Sequence, residues 1–305
     1  LDPDFRAAWS GLSSAYGGMI PGYPEEEAVI RAGMAEAGTR IEALAPDAVE
    51  ARQIRAARLL AERKWQDAEA LIVSNGIPDP TGSSLGTTYG GMLRAVGRVK
   101  EAVPYYQQGA VREPLSLVVS GQAQIVLDSA GMPEAAHEEY LRGKTLPGDY
   151  SQWDFHAARG QWMRDGIGAI SREREFRAGL AADQVAPQLA ATLARAPSDR
   201  EAALAAIRRA FDDPAYQNNA RMLRLLIYAD HYGDRQLAVA ALRRGLVELK
   251  GVTTLIPWYP SESGWRSDPA FKELMRDMHI VDYWRATGNW GDFCRSVGEQ
   301  DFECR

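Results

Sequence analysis

The chain of 305 residues has little of what most catalytic or nucleic-acid-binding proteins display. It holds two cysteines and four histidines. Neither a Walker motif nor H-E-x-x-H occurs in it. No run approaches the roughly 18 consecutive apolar residues of a membrane span. The uncharged stretch from Pro114 to Val126 is broken by Ser116, Ser120, Gly121, Gln122 and Gln124. There is no basic excess: 35 Lys and Arg stand against 41 Asp and Glu, a net charge of −6. Nucleic acid is therefore not expected as a partner of this region, since binding to phosphates needs a basic face. Two cysteines exclude a disulfide-framework mini-protein. With 46% apolar and 25% charged residues the composition is globular, not disordered.

What is present is a period. Gly97, Ala102, Tyr106 and Gly109 reappear 34 residues on as Gly131, Ala136, Tyr140 and Gly143. One period earlier, Arg63 takes the place of the first glycine, and Ala68 and Ile72 keep the next two positions. Pro46, Pro80 and Pro114 are also 34 apart. Gly233, Ala238, Leu242 and Gly245 repeat the spacing, three periods beyond Gly131, and Ala203, Ile207 and Ala210 form a weaker copy. Positions i, i+4 and i+7 fall on one helical face. Small residues there let a second helix approach, and the bulky one between them fills the gap. Glycine before the face permits a tight turn, and proline after it ends the helix.

These residues resemble the tetratricopeptide repeat family. Trp9, Leu12 and Tyr16, preceded by Pro3, fit that family's first-helix pattern with Ser13 in place of glycine, and Gly90 and Leu93 fit it again. The resemblance is clear over 1–148 and degenerate over 149–250. It implies an all-α chain, a right-handed superhelical solenoid of helical hairpins, over 1–250. Helices are expected at 5–18, 24–44, 47–63, 65–75, 83–96, 99–112, 115–130, 133–144, 150–164, 169–179, 183–195, 198–211, 214–232, 234–249 and 267–278. No alternating pattern long enough for a sheet is visible.

Residues 251–305 differ. They hold Trp258, Trp265, Trp284 and Trp290, half of the eight tryptophans, and are expected to form an aromatic-rich cap over the last repeat. An aromatic binding surface is the alternative. Cys294 and Cys304, with nine residues between them, fit a disulfide that pins the tail, worth about 2–3 kcal/mol by loop entropy. Two reduced thiols in a cytosolic protein is the other reading. The tail from Tyr283 to Cys304 is similar to the ends of bacterial repeat modules joined to winged-helix transcription regulators or class III adenylate cyclases. That resemblance implies an upstream effector, and a periplasmic or other extracytoplasmic location for the repeats. A cytoplasmic location is the alternative. Opening at Leu1, the chain is expected to be part of a longer protein.

No catalytic, cofactor or metal site emerges. Gly82-Ser83-Ser84-Leu85-Gly86 matches G-x-S-x-G, but Pro78-Asp79-Pro80 leaves no strand to deliver the serine. Gly166 to Ser171 lacks the last glycine of a dinucleotide fingerprint. The resemblance places a concave groove along the first helix of each hairpin, and Gln53, Thr87, Arg94, Asp128, Phe155, Arg159 and Trp162 are the candidates to line it. Core packing competes for Phe155 and Trp162. The expected function is a non-catalytic module that binds a protein, peptide or small ligand as the sensory arm of a regulator, compatible with a homodimer. An envelope scaffold and an α-helical enzyme are the alternatives.

Overall fold

The computed structural model describes residues 4–19, 26–81, 84–148, 153, 172–195, 198–251, 256–259 and 264–305. The expected helix 150–164 lies outside them apart from Trp153. The chain is mostly helical. The described helices are α1 (Arg6–Met19), α2 (Glu27–Leu44), α3 (Val49–Ala61), α4 (Trp65–Ile72), α5 (Ser84–Ala95), α6 (Val99–Arg112), α7 (Leu117–Ser129) and α8 (Pro133–Lys144). They continue as α9 (Arg172–Ala182), α10 (Pro187–Arg195), α11 (Arg200–Asp212), α12 (Asn219–His231), α13 (Arg235–Arg243), α14 (Pro269–Asp277) and α15 (Ile280–Thr287). Between helices, the main packing is between sequence neighbours, such as α1 on α2, α3 on α4, α7 on α8 and α12 on α13. Contacts divide the chain into two compact units, 1–92 and 93–305, with the boundary inside α5.

The turns explain why the hairpins form. Gly97, Gly131 and Gly233 have φ of +86°, +78° and +75°. At each, the glycine N–H donates to the carbonyl three residues back, and the next N–H to the carbonyl five back: Arg98 to Leu93, Met132 to Leu127 and Asp234 to Ala229. This closure satisfies the orphan carbonyls at the helix end. Arg63, one period before Gly97, adopts φ +59° and makes the same pair of bonds, its own N–H to Leu60 and that of Lys64 to Leu59. The turn geometry thus persists where the glycine does not. A left-handed non-glycine costs about 1–2 kcal/mol, partly offset by the lower chain entropy that glycine would lose. Arg63→Gly is expected to raise the stability of the 1–92 unit by about 0.5–1 kcal/mol in urea unfolding. A loss of stability would show that Arg63 contributes more through its side chain than its backbone costs.

The phased faces are interior. Ala68, Ala102, Ala136 and Ala238 are fully buried, and Ile72, Tyr140, Ile207 and Leu242 are at most 1% exposed.

Three features depart from the sequence expectation. First, residues 251–305, expected to cover the last repeat, also reach the carbonyls of Ala95, Val96 and Gly97. Second, α15 was not foreseen, because His279 rather than a glycine makes the left-handed break before it, at φ +56°. Third, β1 (Cys294–Val297) and β2 (Asp301–Cys304) form an antiparallel hairpin with Cys294 opposite Cys304. Each strand has four residues and β1 buries only its first, so no alternation announces it. The two cysteines are bonded to each other.

Candidate functional site

The expected groove residues fall in both units. Gln53 on α3 is half-buried and Thr87 on α5 is exposed, both in the 1–92 unit. Arg94 and Asp128 belong to the 93–305 unit. Phe155, Arg159 and Trp162 lie outside the described residues.

Asp128 is not presented to solvent: it is 5% exposed, and every residue of α7 from Ser120 to Ser129 except Gln122 is buried. The cause is packing on several sides. Helices α6 and α8 flank α7. The Trp153 indole lies over Gly121 so closely that an added Cβ would stand 2.1 Å from it. Ser120, Gln124 and Asp128, at i, i+4 and i+8, therefore form a buried polar stripe rather than an open floor.

Arg94 is different. Its Nε and Nη1 are shielded from solvent and have no hydrogen-bond acceptor among the described residues. Its guanidinium lies 5.0 Å from the centroid of the Tyr106 ring. Burial pushes the Tyr106 phenol above the ordinary tyrosine value, and the Arg94 charge pulls it partly back. The cation–π contact offsets some of the desolvation of Arg94, but donors without an acceptor remain costly.

A second polar cluster had no sequence signal. The side chain of Asp183 is fully buried and lies 3.4 Å from Arg224 of α12. It accepts from the Tyr228 hydroxyl and, at 2.8 Å, from the Val185 N–H, which fixes the turn leading into α10. Burial, followed by Asp183 itself, drives the Tyr228 phenol well above its usual range, although Arg224 opposes this. Beside it the His231 ring stacks on Phe176 at 3.5 Å. Tyr140 of α8 donates to the buried Glu175 of α9 at 2.9 Å. Helix neighbours are thus cross-linked by charge as well as by apolar contact.

The third assembly is the C-terminal segment. Instead of covering only the last hairpin, it reaches the turn between α5 and α6. The Trp258 Nε1–H donates to the Ala95 carbonyl at 3.1 Å and that of Trp284 to the Val96 carbonyl at 2.8 Å. The Asp292 N–H donates to the Gly97 carbonyl at 2.8 Å, and its Oδ2 accepts from the Lys100 N–H at 2.9 Å. Arg98 donates to the Tyr283 hydroxyl at 2.7 Å. Glycine is required on both sides: a Cβ on Gly291 would stand 2.6 Å from the Gly97 oxygen, and one on Gly97 3.2 Å from Trp258. The same segment packs on α13 through α14. The 93–305 unit is therefore clasped shut by its own end.

Among the described residues no group of three His, Cys, Asp or Glu is placed to hold a metal ion, and no helix is long and apolar enough to cross a membrane. No family model, curated protein or solved structure matches the chain.

Proposed function

We propose that this chain is a non-catalytic binding module of the tetratricopeptide-like kind, the sensory or interaction arm of a larger bacterial regulatory protein. Its partner is a protein or an extended peptide that brings an acidic group. The observation that carries this reading is Arg94, whose Nε–H and Nη1–H are desolvated and lack an acceptor among the described residues. A partner carboxylate supplies an acceptor for one of these donors in a charge-assisted hydrogen bond. Tyr106 holds the guanidinium in place beforehand, so little side-chain entropy remains to be lost on binding. The in-phase turns at 63, 97, 131 and 233 support a stacked-hairpin scaffold for such a surface. The disulfide supports an oxidising, extracytoplasmic compartment. Binding of partner would act by shifting the population of module conformations, which the effector senses.

The test is a library of extended peptides, each carrying Asp or Glu flanked by aliphatic residues, read by fluorescence anisotropy. Arg94→Gln is expected to weaken the best binder by about tenfold or more, the effect of losing a charge-assisted hydrogen bond. Equal affinity for the wild type and Arg94→Gln would remove Arg94 from the site.

A further inference from the structure

The Cys294–Cys304 bond lines an open cleft of about 710 Å³, whose walls also carry Arg266, Lys272, Arg295 and Asp292. It is thus a bond at the wall of an accessible hollow, not one sealed in the core. The two cysteines differ in exposure: Cys294 is 9% exposed, whereas Cys304 is half-buried. The bond ties the first rung of a hairpin whose strands are four residues each. A two-stranded hairpin of that length is marginal without such a tie.

The hairpin also holds the clasp. Asp292, which grips the Gly97 carbonyl and the Lys100 N–H, is two residues from Cys294. Between them Phe293 stacks on Trp258 at 5.4 Å, and its carbonyl accepts from the Arg305 N–H, one residue past Cys304. Whatever frees Cys304 from Cys294 loosens the strand that aims Asp292 at the α5–α6 turn.

We propose that Cys294–Cys304 is an exchange site for a dithiol reductant, and that its reduction releases Asp292 from the α5–α6 turn. A thiolate of the dithiol attacks Sγ of Cys304, the more exposed cysteine. The Cys294–Cys304 bond breaks, a mixed disulfide forms on Cys304, and Cys294 leaves as a thiolate. Cationic groups on the same cleft favour that leaving group; Lys272 and Arg295 do so while paired with Asp301 and Glu303. The second thiol of the dithiol, once deprotonated, attacks its own sulfur in the mixed disulfide. It closes the reductant's disulfide and expels the Cys304 thiolate. Both protein thiolates then take protons from solvent. Two electrons and two protons have passed from the dithiol to the protein, and the reductant is oxidised. Phe302, buried against Trp284 and Trp290, keeps its apolar anchorage. The expected product is a folded protein with an open clasp, not an unfolded one.

The experiment treats the oxidised chain with dithiothreitol under native conditions, and follows thiol release and amide hydrogen exchange together. The expected result is reduction without loss of helical circular dichroism. The Asp292 and Lys100 amides should then exchange about 30- to 100-fold faster, the factor that loss of a short-loop cross-link implies. The double variant Cys294→Ser/Cys304→Ser should reproduce that pattern with no reductant. If it does not fold, the dithiothreitol arm decides alone. A bond reduced only when the chain unfolds globally, or reduced with the Asp292 and Lys100 amides unchanged, overturns the proposal.

Discussion

Replacing Trp284 by alanine should destabilise the 93–305 unit by about 3–5 kcal/mol, the range for emptying a fully buried tryptophan site. The ring is 0% exposed and touches those of Trp258, Trp290 and Phe302. Its Nε1–H is also the donor to the Val96 carbonyl, 188 residues away in the sequence. The informative part of the result is where the damage appears. If the C-terminal segment were only an end cap, amide exchange would quicken around α13 to α15 and leave the α5–α6 turn as it was. In the clasped structure the amides from Gly97 to Lys100 lose protection as well. Trp284→Phe separates the two contributions. It keeps most of the apolar contact but leaves the Val96 carbonyl unsatisfied, at about 1–3 kcal/mol. Urea unfolding with residue-resolved exchange measures all of this, and an unchanged α5–α6 turn in Trp284→Ala would contradict the clasp.

Asp183→Ala should cost a similar amount, about 3–5 kcal/mol, for a different reason. Removing the carboxylate takes one partner from a buried ion pair and leaves Arg224, 11% exposed in its side chain, without it. It also strips the acceptor from the Tyr228 hydroxyl and the Val185 N–H. Asp183→Asn retains an oxygen for the backbone donors and should lose less. Tyr228→Phe in the Asp183→Ala background should add little further destabilisation, because the two groups act as a unit and their effects are not additive. A loss under about 1 kcal/mol for Asp183→Ala would mean that solvent reaches Arg224 easily, and that the cluster contributes little to joining α10 and α12.

The local part of this structure was legible because it obeys a period. A glycine that turns the chain, then an alanine and a bulky residue on one face, announce a hairpin wherever they recur. The buried Ala102, Ala136 and Ala238 follow from that pattern. Arg63 marks its limit: the turn is present although the residue that signals it is not. The destination of the last fifty residues was not legible. Their aromatics announced burial, and burial occurred, but no local pattern links Trp258 and Trp284 to a turn near residue 96. The hairpin 294–304 was hidden by its shortness, and α15 by a left-handed histidine. Asp183 read as the first residue of a helix. It instead stays ahead of α10, which begins at Pro187, and its side chain caps the turn.

The groove candidates were chosen by helical spacing alone. Arg94 was picked from helical spacing, and its side chain is half-buried. Asp128 was picked by the same rule one period later, and there the rule failed. Trp153, from outside the pair of helices that defines the period, lies on Gly121. Helical spacing ranks faces within a hairpin; it does not foresee what a later segment lays across them.

The most direct test of the binding account is the side-chain Nε–H resonance of Arg94, followed by NMR while an acidic, aliphatic-flanked peptide is titrated in. The account predicts a saturable shift at Arg94 as its donor gains a carboxylate acceptor, with the Trp284 indole resonance unmoved because the clasp is not the site. Peptide binding that leaves Arg94 unshifted, or no binding across the peptide library, would contradict it.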